Sequence, residues 1–155
     1  MANFSLTKRV DQGILIGDGA MGTMLYQHGA FLNTCFDELN LTRPELIETI
    51  HREYIEAGCD FIETNSFGAN ALKLAHFGLA DRVEVINRTA AGLARKAAGE
   101  KVLVAGAIGP TNTNNPKPDE ALSQTLNAAF QDQARALADG GADFLLLETF
   151  TSVAE

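Results

Sequence analysis

Two stretches of this chain are near copies of one another. EAGCDFIET (Glu56–Thr64) and DGGADFLLLET (Asp139–Thr149) each run through a helix-ending glycine, an aspartate, a short apolar segment and a Glu-Thr pair. The apolar segments belong to a set of four: Ile14–Ile16, Phe61–Ile62, Val102–Ala107 and Phe144–Leu147. They are continuous and not alternating, as parallel strands buried on both faces are. Amphipathic helices lie between them. Leu46, Ile47, Ile50, Tyr54 and Ile55 share one face of a helix that opens at Pro44 and closes at Gly58. Val83, Ile86, Ala90, Leu93 and Ala97 form a second stripe before Gly99, and Leu122, Leu126, Phe130 and Leu137 a third before Gly140 and Gly141. This is the period of helices packed on a core, with Pro at the start and Gly at the end. Strands recur about every 40 residues, the length of a repeated βα unit.

That repeat allows few folds. The order β-α-β-α-β-α-β, with TSVAE as the start of a further helix, is a parallel α/β protein. Four strands make either a small open doubly wound sheet or about half of a (β/α)8 barrel of the TIM type, whose usual length is about 250 residues. Stopping one turn into a helix favours the barrel. Residues 1–155 are therefore expected to be one unit, the N-terminal half of a (β/α)8 barrel made of its first four βα units. With 46% hydrophobic and 21% charged residues, 155 residues suffice for a real core.

The first strand leads into GDGAMG (Gly17–Gly22), which matches the dinucleotide fingerprint G-x-G-x-x-G. A dinucleotide site also wants an acid about 20 residues later, at the end of the next strand. Here that strand ends near Glu63, about twice as far on, while Asp37 and Glu38 fall in the loop-like FLNTCFDELN. Asp18 stands where pyrophosphate would lie, and its charge opposes one. The nucleotide reading fails on context, and the glycines are read as serving a tight strand-to-helix turn with close backbone approach.

Asp18 instead ends the first strand, at the end of the sheet where barrels and open α/β sheets carry their chemistry. The second strand brings Glu63, Thr64, Asn65 and Ser66 to that end, the third Gly109, Pro110, Thr111 and Asn112, and the fourth Glu148 and Thr149. Acids recurring there suit a cationic ligand group such as an amine, or a hard metal ion. A single acid in such a place more often caps the following helix. TNTNNPKP (Thr111–Pro118) is a polar loop at the same face, a lid or a plain connection. His51 falls off its apolar stripe and reads as solvated, His28 and His76 read as helix-end residues, and Met21 and Met24 read as core.

A net charge of −8 and a pI near 4.8 argue against nucleic-acid and anionic-membrane partners. No apolar run approaches the roughly 20 residues of a membrane span, and MANFSLTKRVDQG lacks a secretory apolar core. Cys35 and Cys59 make no disulfide framework, so a cytoplasmic location is expected.

LIGDGAMGT, NLTRPELIETIHREYIEAGCDFIETNSFGAN, VAGAIGPTN and GGADFLLLETF, in this order and spacing, resemble the homocysteine S-methyltransferase family, and within it the homocysteine-binding N-terminal domain of cobalamin-dependent methionine synthases. The resemblance runs from Ile14 onward. It implies a (β/α)8 barrel that binds homocysteine at the strand C-termini and transfers a methyl group to its sulfur, giving methionine. By that resemblance Asp18 and Gly19 help form the amino-acid pocket, Ser66 (often Thr in relatives) bonds the substrate carboxylate or amine, and Glu148 receives the ammonium, with Asn65 and Thr64 beside them. It also implies zinc for the full domain, held by cysteines of later strands beyond Glu155. Methylcobalamin or another methyl donor, and cobalamin and methyl-folate through downstream domains, complete the expected set of cofactors and partners. Cys35 and Cys59 read as buried or incidental thiols, so no catalytic or metal-binding residue is assigned in this chain, which alone is expected to be inactive. Two rivals stand beside this reading. One is a barrel lyase or aldolase with Mg²⁺ on Asp18, Glu63 and Glu148. The other is a non-catalytic half barrel that self-associates through its unpaired edges.

Overall fold

The computed structural model describes residues 6–31, 33–113 and 118–152. The chain runs through α1 (Leu6–Val10), α2 (Met21–Gln27), α3 (Leu39–Thr42), α4 (Pro44–Glu56), β1 (Phe61–Glu63), α5 (Ala71–Ala75), a 3-10 turn (Ala80–Arg82), α6 (Val83–Ala98), β2 (Leu103–Ile108), α7 (Glu120–Gly140) and β3 (Phe144–Leu147). The strands form one parallel sheet in the order β1-β2-β3, with Phe61 opposite Leu103 and Phe144 opposite Ala105. A mixed α/β chain with a parallel sheet is what the βα repeat requires.

The helix signals act as chemistry dictates. Pro44 opens α4, where its missing N–H is not needed. Gly58, Gly99 and Gly141 follow α4, α6 and α7 with positive φ, the backbone that glycine adopts without a Cβ clash. Asp119 caps α7 by accepting from Leu122 N at 2.8 Å. Helices cover one face of the sheet: Ile62 and Val104 pack with Ala94 and Ala98, and Ile108 packs with Ala91 and Leu137. Ile62, Val104 and Leu137 are fully buried, each contributing on the order of 2 kcal/mol by its removal from water. On the opposite face the Phe61 and Phe144 rings meet edge to face at 5.7 Å. The central strand β2 is buried throughout, which is why its sequence is apolar on both faces.

The duplicated junctions perform one task twice. Asp60 and Asp143 each precede a strand, and each carboxylate takes a backbone N–H from the neighbouring segment: Ile16 N at 3.0 Å for Asp60 and Val104 N at 2.8 Å for Asp143. An arginine holds each one, Arg9 at 3.3 Å for Asp60 and Arg95 for Asp143.

The first apolar segment departs from expectation. Ile14–Ile16 is not a strand; it joins the sheet only through a parallel bridge from Gly17 to Phe61, and Ile14 is 92% exposed. Ile16 O accepts from Asp60 N at 2.7 Å and Ile16 N donates to the Asp60 carboxylate, the same exchange that opens the β2-β3 ladder at Val104. Past Gly17, however, Glu63 N is taken by the Asp18 carboxylate at 3.0 Å and not by a strand carbonyl. The segment lies at the sheet's edge, with one neighbour among the described residues. Leu147 on the other edge strand is 67% exposed for the same reason.

Candidate functional site

At the C-terminal ends of the strands the chain opens a cleft of about 630 Å³. Asp18 comes from the segment after Gly17, Glu63 ends β1, Asn65 and Ser66 follow it, and Glu148 follows β3. Together with Gly19 these residues line the cleft, so all five expected substrate-binding positions, Asp18, Gly19, Asn65, Ser66 and Glu148, share one wall system.

The acids repel one another there. Burial pushes the Asp18 carboxyl up to about 6, against a hydrogen bond from Glu63 N at 3.0 Å, and the charge of Glu148 adds to the rise. Burial, then the charges of Glu148 and Asp18, push Glu63 up to about 7, and a hydrogen bond to Glu148 holds the proton on Glu63. Glu148 is raised by burial, with the bond from Glu63 pulling the other way. Three carboxyls that resist ionising together are relieved by a cation. Asp18 Oδ1 is buried and has no hydrogen-bond partner among the described residues, an acceptor left without a donor.

The hydroxyls beside them form a closed ring. Ala107 N donates to Thr64 Oγ1 at 3.0 Å, and Ser66 Oγ donates to Ala107 O at 2.7 Å. With the serine proton so committed, the 2.6 Å contact between the two hydroxyls has Thr64 as donor. Ser66 therefore offers a ligand a lone pair and no proton. The Asn65 amide donates to Phe36 O at 2.7 Å, and so holds the loop that carries Phe36 and Asp37.

The fingerprint glycines give aromatic rings room. A Cβ at Gly17 would lie 2.5 Å from the Phe61 ring, and one at Gly19 2.9 Å from the Tyr54 hydroxyl. Neither residue has positive φ, so close approach explains them and the tight turn does not.

Several expectations need correction. Gly109, Pro110 and Thr111 are buried and do not line the cleft; Gly109 lies against the Phe67 ring, and its N–H donates to Phe67 O at 3.1 Å. Asn112 and Thr149 are exposed and do not line it either; both have positive φ. Of the polar loop, residues 114–117 lie outside the described residues. His51 is not solvated. It is fully buried, neither ring nitrogen has a hydrogen-bond partner among the described residues, and burial lowers its pKa to about 4. Its helix turns it inward beside Ile47 and Ile50 because the buried face of α4 is wider than the apolar stripe. His28 and His76 do sit at the ends of α2 and α5. Met21 and Met24 pack on the Leu25–Ile50 core, and Met21 also reaches the cleft.

Asp37 is the acid that sequence reasoning missed. It lines the cleft, accepts from Gly68 N at 3.0 Å, and burial pushes its carboxyl up to about 6. Its spacing from the glycine turn draws attention only within the nucleotide reading, and its place in a loop away from any strand end gives no reason to put it at the cleft. Cys35 and Cys59 are free thiols in separate apolar clusters, and burial pushes both up, away from the thiolate. Among the described residues no three of His, Cys, Asp and Glu form a group that could hold a metal ion. The side chains present therefore do not make a zinc set, and Asp18, Glu63 and Glu148 do not make the magnesium set of the rival reading.

The family model described as homocysteine S-methyltransferase matches residues 15–155. The chain is 38% identical over 152 residues to methionine synthase of Mycobacterium tuberculosis, covering 90% of this chain and 13% of that protein. It is 36% identical over 156 residues to methionine synthase of Mycobacterium leprae, covering 93% and 13%. It thus spans about 13% of the length of these curated relatives. Among solved structures it is similar to the homocysteine methyltransferase MmuM from Escherichia coli in its metallated form. The TM-score is 0.82 at 27% identity, over 96% of this chain and 58% of that one. The apo form of the same enzyme aligns with a TM-score of 0.64 at 29% identity, over 88% and 49%. A parallel sheet with an acid-lined cleft at its strand ends, and a family match over nearly the whole chain, lead to one conclusion: the chain belongs to the homocysteine S-methyltransferase family.

Proposed function

We infer that this chain is the homocysteine-binding part of a homocysteine S-methyltransferase of the methionine synthase type, forming about the first half of a (β/α)8 barrel. The observation that carries the reading is Asp18 Oδ1, a buried acceptor without a hydrogen-bond partner among the described residues, beside two further acids, Glu63 and Glu148. The ammonium of an amino acid supplies both the missing donor and the missing positive charge. Asp18 and Glu148 receive it, Ser66 accepts a further N–H, Gly19 leaves room for Tyr54 behind the pocket, and Asn65 holds the loop opposite. In the whole enzyme this reading implies methyl transfer from methylcobalamin or another donor to the homocysteine sulfur, giving methionine. This chain's share is to bind and orient the amino-acid end. Zinc, cobalamin and methyl-folate belong in this reading to segments outside it. A cytoplasmic location without nucleic-acid or membrane partners fits the net charge of −8, and no helix among the described residues is long and apolar enough to cross a membrane.

Calorimetric titration of the 155-residue chain with L-homocysteine tests the reading. Binding is expected at about pH 8 and weakens by about tenfold or more towards pH 5.5, because Asp18 (about 6) and Glu63 (about 7) take up protons that the ammonium must displace. Glu148→Gln weakens binding at both pH values. No binding at pH 8, or an affinity indifferent to pH and to Glu148→Gln, refutes it.

A further inference from the structure

The irregular segment after β1, residues 64–70, is held by donors from four separate places. Asn65 O accepts from Asn40 Nδ2 at 2.7 Å, Ser66 O from Gln133 Nε2 at 2.7 Å, Phe67 O from Gly109 N at 3.1 Å and Ala69 O from Asn87 Nδ2 at 2.8 Å. Asn40, Gln133 and Asn87 are all fully buried, on α3, α7 and α6. Asn40 uses its second N–H on Asp37 O at 2.7 Å, and its Oδ1 accepts from Asn65 Nδ2 at 3.5 Å. The direction of that amide is fixed, because reversing it would aim Oδ1 at two carbonyl oxygens. A buried helix position is filled more favourably by leucine than by an amide unless the amide is used. Here two of the amides meet the carbonyls of cleft-lining residues, Asn65 and Ser66, from 25 and 67 residues away. The third, Asn87, meets Ala69, which does not line the cleft.

We propose that Gln133 and Asn40 are positioning residues for the cleft: they fix the peptide groups of Ser66 and Asn65, and so set the direction of the Ser66 lone pair and the distance of the Asp37 loop across from it. Beyond the strand bond from Thr64 N to Ala105 O at 2.9 Å, the backbone between β1 and α5 has turn bonds, among them Ala69 N to Ser66 O at 3.0 Å, which do not tie it to the neighbouring helices. A ligand-binding constellation needs such ties to keep its geometry. The proposal rests on the homocysteine reading of the cleft for its ligand. Its backbone claim stands apart from that reading.

The test uses the full chain and the variants Gln133→Leu and Asn87→Leu, with Gln133→Met in reserve should the first fail to fold. Two quantities are read below each variant's thermal midpoint: the Kd for L-homocysteine, and amide hydrogen exchange at Gly68 and Ala69 relative to α6. Gln133→Leu is expected to raise Kd about tenfold or more, and to speed exchange at Gly68 and Ala69 about tenfold beyond that of α6. Asn87→Leu is expected to lower the thermal midpoint while Kd stays within about twofold. An unchanged Kd in a folded Gln133 variant, or exchange that rises equally in the segment and in α6, overturns the proposal. So does an Asn87→Leu loss of affinity equal to that of Gln133→Leu, which would make both effects merely structural. If the wild-type chain binds no homocysteine, the ligand reading fails, and the exchange comparison alone decides the positioning role.

Discussion

His51 makes the stability of this chain depend on pH in a way that one substitution isolates. The imidazole is fully buried on α4, and neither nitrogen has a hydrogen-bond partner among the described residues to accept from an added proton. Burial lowers its pKa from 6.5 to about 4, with the charge of Glu48 opposing only in part. The unfolded chain therefore binds a proton that the folded chain refuses. Stability from this group is complete above the unfolded pKa and is lost as pH falls towards the folded one. The full difference amounts to about 3 kcal/mol, of which about 2 kcal/mol is lost between pH 8 and pH 5. Asp18, Asp37 and Glu63 act with the opposite sign, since their folded pKa values of about 6, 6 and 7 are raised, and they favour the folded state as pH falls. The wild-type curve is a sum, and only the comparison with His51→Leu separates the histidine. The chain has no tryptophan, so urea unfolding is followed by far-ultraviolet circular dichroism at several pH values from 8 to 5. The stability of His51→Leu relative to wild type should rise by about 2 kcal/mol over that range. A difference that stays constant with pH, or moves the other way, refutes the claim that the buried ring is held neutral.

Two further outcomes follow from packing. A Cβ at Gly140 would lie 2.7 Å from both Ala91 Cβ and Arg88 O, so Gly140→Ala forces α7 from α6 and should lower unfolding stability by about 1–3 kcal/mol, measured by urea titration; an unchanged midpoint refutes the close approach. Ile14 and Leu147 on the two edges are exposed, so the chain should associate with a second copy in sedimentation equilibrium, and Ile14→Lys with Leu147→Lys should suppress it; a wild-type monomer at every concentration counts against such pairing.

The repeat of apolar segment, helix and glycine was enough to fix the parallel α/β class and the positions of α4, α6, α7, β2 and β3, because burial on both faces and the 3.6-residue period are local properties of the chain. It also picked out Asp18, Ser66 and Glu148 as neighbours, since parallel strands deliver their C-terminal residues to one end. What the local pattern could not carry was decided by side chains meeting across long separations. The Asp18 carboxylate takes Glu63 N beyond Gly17, Phe67 occupies the space above Gly109, and the width of the α4 interface draws His51 inward. Asp37, Asn40 and Gln133 acquire their roles only when α3 and α7 pack beside the segment after β1. Periodicity records which face a residue turns to the core. The partner it finds there, and hence its charge state and its hydrogen bonds, exists only in the folded chain.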